Sequence, residues 1–216
     1  FMSNYLFVAG NKQQVDKIQS CFQEIYGAIQ TELSFHEVSD ETAVLVVERK
    51  NSDNESSIFL HESGHGLFFR GQALDHETSS MILGAKGFFD FQDNFADYQR
   101  PSKIADFEGS FVLARWNESN YSIQTDLYSM YRLIFFSNDE LIIASDSLVI
   151  VTECMKKLGI ERKLNHDVAV IKAWNASGLP NCPFTPELIV KGVFTSQVGS
   201  SVHGNWTGFG SKAELI

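Results

Sequence analysis

Clusters of basic residues are missing from this sequence: no run of Lys or Arg exceeds two, and the formal net charge is −10. A nucleic-acid-binding face neutralises phosphates with grouped cations, so that role is excluded. Long apolar runs are missing too. None reaches the ~18 residues of a membrane-spanning helix, so no membrane role is expected. The N-terminus lacks the basic stretch, apolar run and small-residue cleavage site of a secretory signal. Cysteines are few: Cys21, Cys154 and Cys182 are odd in number and far apart. Disulfide frameworks and zinc knuckles use close, paired cysteines, so the expectation is three reduced thiols in a cytoplasmic protein. The phosphate-cradling patterns G-x-x-x-x-G-K-[ST] and G-x-G-x-x-G are absent, as is the G-x-S-x-G nucleophile elbow.

What is present is an ordinary globular composition, 44% hydrophobic and 20% charged, with an unusually high 18 phenylalanines. With no internal repeat and no low-complexity linker, residues 1–216 read as a single domain. Its core spans 2–195, and 196–216 is a Gly- and Ser-rich tail or the start of a linker. Phe1 precedes Met2, and no ordinary start codon gives phenylalanine, so Phe1 is read as the remnant of a cleaved tag.

The chain is organised around residues 106–151. Phe107 to Trp116 is a strand with two apolar faces, Phe107, Phe111 and Leu113 on one and Val112, Ala114 and Trp116 on the other. Such a strand belongs in the middle of a layered structure. Tyr121–Asp126, Tyr131–Phe136 and Leu141–Ala144 follow as strands, with turn residues between them. Upstream, Tyr5–Ala9 is a strand. Asn11 is the N-cap of a helix whose stripe is Val15, Ile18, Phe22, Ile25, Tyr26 and Ile29. Leu33–Val38, Thr42–Glu48, Ile58–His61 and Leu67–Arg70 are further strands. His76–Leu83 reads as a short helix, and Gly87–Gln99 has no clean period. Ser147–Leu158 and Asn165–Trp174 are helices, and Leu188–Phe194 is a last strand. Runs of strands with segregated helices give an α+β layered domain.

One motif stands out locally. His61-Glu62-Ser63-Gly64-His65 matches the H-E-x-x-H zinc signature, in which a helix sets both His on one face. Gly64 and Gly66 are poor helix residues and both flanks are β-like, so a polar hairpin turn is the better reading. The adjacent pairs Asp75-His76 and His166-Asp167 point apart on either helix or strand and form no dyad.

The central block resembles the glutaminase-type domain of the asparagine synthetase family. Glu108 to Ala114 resembles its "G-x-F-A" strand. Thr125-Asp126 followed by Leu133-Ile134-Phe135-Phe136 resembles its "R-D-x-x-G-x-x-P-L-Y-Y" strand pair, and Ala144-Ser145-Asp146 its "A-S-E" step into a helix. Leu67 to Gln72 falls where the family has "N-G-E", and Thr185 to Gly192 resembles its closing "T-x-F-x-G-I" strand. In order, these cover most of residues 5–195. The resemblance implies the class II amidotransferase fold, a four-layer αββα sandwich of the N-terminal-nucleophile hydrolase type with mostly antiparallel sheets.

The family's nucleophile is a Cys at the mature N-terminus whose free amine serves as base. Matching Val8-Ala9-Gly10 to its "I-A-G" places Leu6 at the Cys position. Arg70-Gly71-Gln72 replaces the Asn-Gly-Glu that helps hold glutamine. Leu6 and Arg70, larger than the groups they replace, are expected to fill one pocket. The resemblance therefore implies a degenerate, non-catalytic domain that is a structural or partner-binding part of an ATP-dependent amide- or lactam-forming system. Its implied partner is a synthetase domain or subunit, fused or separate, and a homodimer is compatible with it. No cofactor is expected in this chain, since its "S-G-G-x-D-S" ATP loop is absent; ATP and Mg belong to the synthetase. One alternative is an active amidohydrolase using Ser3 after Met2 removal. The other is a zinc hydrolase at His61 and His65.

Overall fold

Among the described residues, apolar alternation along twelve strands builds two stacked antiparallel sheets. The computed structural model describes residues 5–27, 31–49, 56–61, 65–75, 79–91, 107–128, 130–175, 186–196 and 201–206. The first sheet contains β1 (Tyr5–Asn11), β2 (Thr31–Glu37), β3 (Thr42–Arg49), β9 (Ile134–Ser137), β10 (Leu141–Ser145) and β11 (Val193–Thr195), in the order β11-β9-β10-β1-β3-β2. The second contains β4 (Ile58–Leu60), β5 (Gly66–Asp75), β7 (Phe107–Trp116), β8 (Asn120–Thr125) and β12 (Ser201–Asn205), in the order β12-β8-β7-β5-β4. A short β6 (Ser80–Leu83) pairs with the far end of β5.

Three apolar layers hold the stack. Between the sheets, Tyr5, Phe7, Val44, Val46, Phe68, Val112, Trp116 and Phe135 form the central core. Helices α1 (Lys12–Ser20), α2 (Phe22–Tyr26) and α4 (Leu148–Lys157) supply Val15, Ile18, Tyr26, Val151, Cys154 and Met155 to the outside of the first sheet. Helix α3 (Gly84–Phe91) supplies Ala85 and Phe88 to the outside of the second. A fifth helix, α5 (His166–Asn175), is capped by Asn165, whose side chain accepts from Val168 N at 3.3 Å. The expected α+β four-layer αββα sandwich is the architecture observed. No described helix is long and apolar enough to cross a membrane.

Both faces of β7 are buried as expected: Phe107, Phe111 and Leu113 lie under α3, and Val112, Ala114 and Trp116 face the other sheet. Asn11 caps α1, its side chain accepting from Gln13 N at 3.0 Å.

Five expectations are corrected. The single helix over residues 11–29 breaks at Cys21 into α1 and α2, and Gly27 at φ +62 stops the second. Residues 80–83 form β6 rather than a helix, because β5 runs ten residues to Asp75 and offers them a ladder; residues 76–78 lie outside the described ones. Of Gly87–Gln99, read without a clean period, Gly87–Phe91 completes the helix Gly84–Phe91, whose Ala85 and Phe88 meet the sheet, and residues 92–99 lie outside the described ones. The strand expected over Leu188–Phe194 narrows to Val193–Thr195, because Gly192 at φ +76 turns the chain and its N–H donates to Glu187 Oε1 at 2.8 Å. The core does not end at residue 195: Ser201–Asn205 pairs along β8, and Val202 enters the central core.

Candidate functional site

The antiparallel register collects several strand ends at one edge of the sandwich. Tyr5 opposes Glu48 and Leu6 opposes Ser145, while Ser145 opposes Ile134. The beginnings of β1 and β9 and the ends of β3 and β10 therefore lie together. Ser145 Oγ donates to Tyr5 O at 2.7 Å, and Tyr5 Oη donates to Arg132 O at 2.8 Å. Burial, with Asp146 next in weight, holds the Tyr5 hydroxyl well above its ordinary pKa. Tyr5 is thus a structural phenol.

Arg70 enters this edge from the facing sheet. Its Nη1 donates to Glu48 Oε2 and to Arg49 O, both at 2.9 Å. The two side chains are 6% and 10% exposed, so the ion pair is buried. Burial pushes the Glu48 carboxyl up, and the opposing pull of Ser57 and Arg70 offsets it only in part. A pair taken out of water contributes little net stability, yet neither member can be removed cheaply.

The strand alternation separates the residues expected to share a pocket. Leu6 faces the helical layer beside Val8, Val47 and Val151, whereas Arg70 lies between the sheets on the side of Tyr5 and Phe68. Leu6 and Arg70 are on opposite faces of the first sheet, so the expectation of one pocket filled by both is corrected. Gly71 holds φ +112, and a Cβ there would meet Ser110 O at 2.1 Å, so the position admits no side chain. Gln72 is exposed. Ser3 lies outside the described residues.

His61 follows β4 and His65 precedes β5, with His61 N donating to His65 O at 2.8 Å between them. Their rings are 6.5 Å apart between centroids, and His61 stacks on Phe89 at 5.5 Å. The hairpin expected from the glycines replaces the helix that the zinc signature needs. Among the described residues no third His, Cys, Asp or Glu completes a ligand group.

Beside the start of β1 opens a cleft of about 240 Å³ lined by Met130, Tyr131, Arg132 and Asp146. Asp126 shapes it. The buried carboxylate accepts from the backbone N–H of Phe111 (3.3 Å), Tyr128 (3.1 Å), Met130 (3.0 Å) and Tyr131 (3.1 Å). Those bonds draw Tyr128, Met130 and Tyr131 back onto Asp126, which is why β9 starts at Ile134 and not at Tyr131. In the sequence Asp146 reads as a turn or helix-start residue, Arg132 stands at the Pro of the resembling strand-pair motif, and Glu48 is only the end of an expected strand. The Asp126 turn had a legible signal, because Asp side chains accept from N–H groups just ahead in the chain.

Neither described thiol reaches this edge. Cys21 sits at the junction of α1 and α2, and Cys154 is buried on the helical face of the first sheet, where burial pushes its thiol up to about 12. Such a thiol carries almost no thiolate at neutral pH and is no nucleophile.

No protein-family model and no protein of curated function matches the sequence. Solved structures do match in shape. One is described as glutamine phosphoribosylpyrophosphate (PRPP) amidotransferase from B. subtilis complexed with ADP and GMP. It superposes with a TM-score of 0.53 at 8% identity over 97% of this chain and 49% of its own. Another, described as the allosteric regulatory enzyme of purine biosynthesis, gives 0.55 at 8% identity over 97% of this chain and 48% of its own. The chain spans about half the length of either. At such identity the likeness shows the fold, and that fold is the N-terminal-nucleophile hydrolase-like sandwich.

Proposed function

We propose that this chain is a glutamine-amidotransferase-like domain without glutaminase activity, of the asparagine synthetase type. It serves as the structural or partner-binding part of an ATP-dependent system that forms amide or lactam bonds. The observation that carries the reading is the buried Arg70–Glu48 pair. It stands between the sheets beside the start of β1, its Arg70 belongs to the segment that resembles the family's glutamine-holding one, and its two charges are committed to each other. A substrate carboxylate or ammonium would have to displace one of them. Tyr5 and Leu6 open β1 with no hydroxyl or thiol suited to attack, both almost wholly buried. The synthetase, with its ATP and Mg, is then a separate or fused partner.

Covalent trapping tests the reading. The purified chain is incubated with an electrophilic diazo-ketone analogue of glutamine and its intact mass is measured. No adduct is expected. A stoichiometric adduct would overturn the non-catalytic assignment, and its loss in Ser3→Ala would assign the nucleophile to Ser3.

A further inference from the structure

The outer face of the second sheet divides in two. Under α3 it is apolar, with Leu67, Phe69 and Leu113. Towards β12 it turns polar. The register sets Arg115 opposite Ser122 and Ser122 opposite His203, and in the next row Leu113 opposite Gln124 and Gln124 opposite Ser201. Directly opposed residues share a face, with Cβ atoms about 5 Å apart. Arg115, Ser122, Gln124, Ser201 and His203 therefore form one contiguous patch across β7, β8 and β12. Their strand neighbours Ala114, Trp116, Tyr121, Ile123 and Val202 point the other way, into the central core.

This polar patch is not solvated. Arg115, Ser122, Gln124 and Ser201 are 5%, 2%, 3% and 4% exposed. Ser201 Oγ and His203 Nε2 are 2.6 Å apart. Among the described residues, Ser122 Oγ and Gln124 Nε2 have no hydrogen-bond partner. A buried donor left unsatisfied costs more than a made hydrogen bond returns, and native folds keep few of them. Here two stand on one strand in adjoining rows. Every polar side chain of the patch can donate, and Arg115 carries a fixed positive charge. The carboxylate next along β8, Asp126, lies past the strand's end and already accepts four backbone N–H groups. A donor-rich patch in a chain of net charge −10 runs against the composition.

We infer that this patch binds a small oxyanion, a carboxylate or a phosphate, with Ser122 Oγ and Gln124 Nε2 donating to its oxygens. The Ser201–His203 pair and the Arg115 guanidinium flank it. The site is independent of the edge at β1 and of the function proposed for it.

Isothermal titration of the whole chain with inorganic phosphate and, separately, with acetate at constant ionic strength tests the inference. Saturable one-to-one binding of at least one anion is expected, and the anion that binds identifies the class. Gln124→Leu and Ser122→Ala are each expected to weaken it at least tenfold. No saturable binding of either anion, as from a patch that holds only water, overturns the proposal. So does binding unchanged in folded variants. If Gln124→Leu does not fold, Ser122→Ala, which removes one hydroxyl, decides alone.

Discussion

Arg70 and Glu48 make the sharpest residue-scale claim. Their 2.9 Å contact is buried from both sides, so removing Arg70 leaves the Glu48 carboxyl buried without its cation. Arg70→Ala is expected to lower unfolding free energy by about 3 kcal/mol, read from urea denaturation. The double variant Arg70→Leu, Glu48→Leu is expected to recover most of that loss, because the desolvation penalty disappears with the pair. Equal losses in single and double variants would refute the pairing. Gly71 makes a second claim at this scale. Its φ of +112 and the backbone oxygen 2.1 Å from any Cβ forbid a side chain. Gly71→Ala is expected to cost at least about 2 kcal/mol in the same experiment. This glycine, read from resemblance as part of a substrate segment, is held in place by the β5–β7 approach. Resemblance alone singled out Leu6, Arg70 and Gly71. It could not show that alternation would turn Leu6 away from Arg70, since which face meets which layer is set by the whole stack. Nor could it pair Arg70 with Glu48, which lies on the facing sheet.

Among the elements, the loop that Asp126 organises and the edge strand β2 respond differently to perturbation. Asp126→Ala removes the acceptor for four backbone N–H groups, so the amides of Tyr128, Met130 and Tyr131 are expected to exchange with solvent at least tenfold faster. Amide exchange by NMR checks this, and unchanged protection would contradict the capping role. On β2, His36 stacks on Trp116 at 6.0 Å, and burial lowers its pKa. A histidine whose folded pKa is below its unfolded value binds protons more readily when unfolded. Its stability contribution is therefore complete above the ordinary value near 6.5 and is lost as pH falls below it. Stability is expected to fall from pH 6.5 towards acid, and His36→Phe to flatten that slope in urea melts. Elements with strong local patterns were legible: β7 to the residue, Asn11 as a cap, α4 within one residue at each end. Those that depend on a distant partner were not. β6 needs the extension of β5, and β12 is a Gly- and Ser-bearing strand whose only signature is its pairing with β8.

For the molecule as a whole, the layered sandwich follows from strands buried on both faces and from helices with one apolar stripe. That pattern survives at 8% identity to the solved structures that share it. Chemistry at the edge is more demanding, because it needs particular side chains at a strand start. Tyr5, Leu6 and the Arg70–Glu48 pair occupy that place with packing and a closed ion pair. The proposal that the fold is kept without glutaminase activity is tested most directly by ammonia release from glutamine. With the purified chain and millimolar L-glutamine, the predicted result is release no faster than in buffer alone, across neutral pH. Saturable, protein-dependent ammonia release would contradict it.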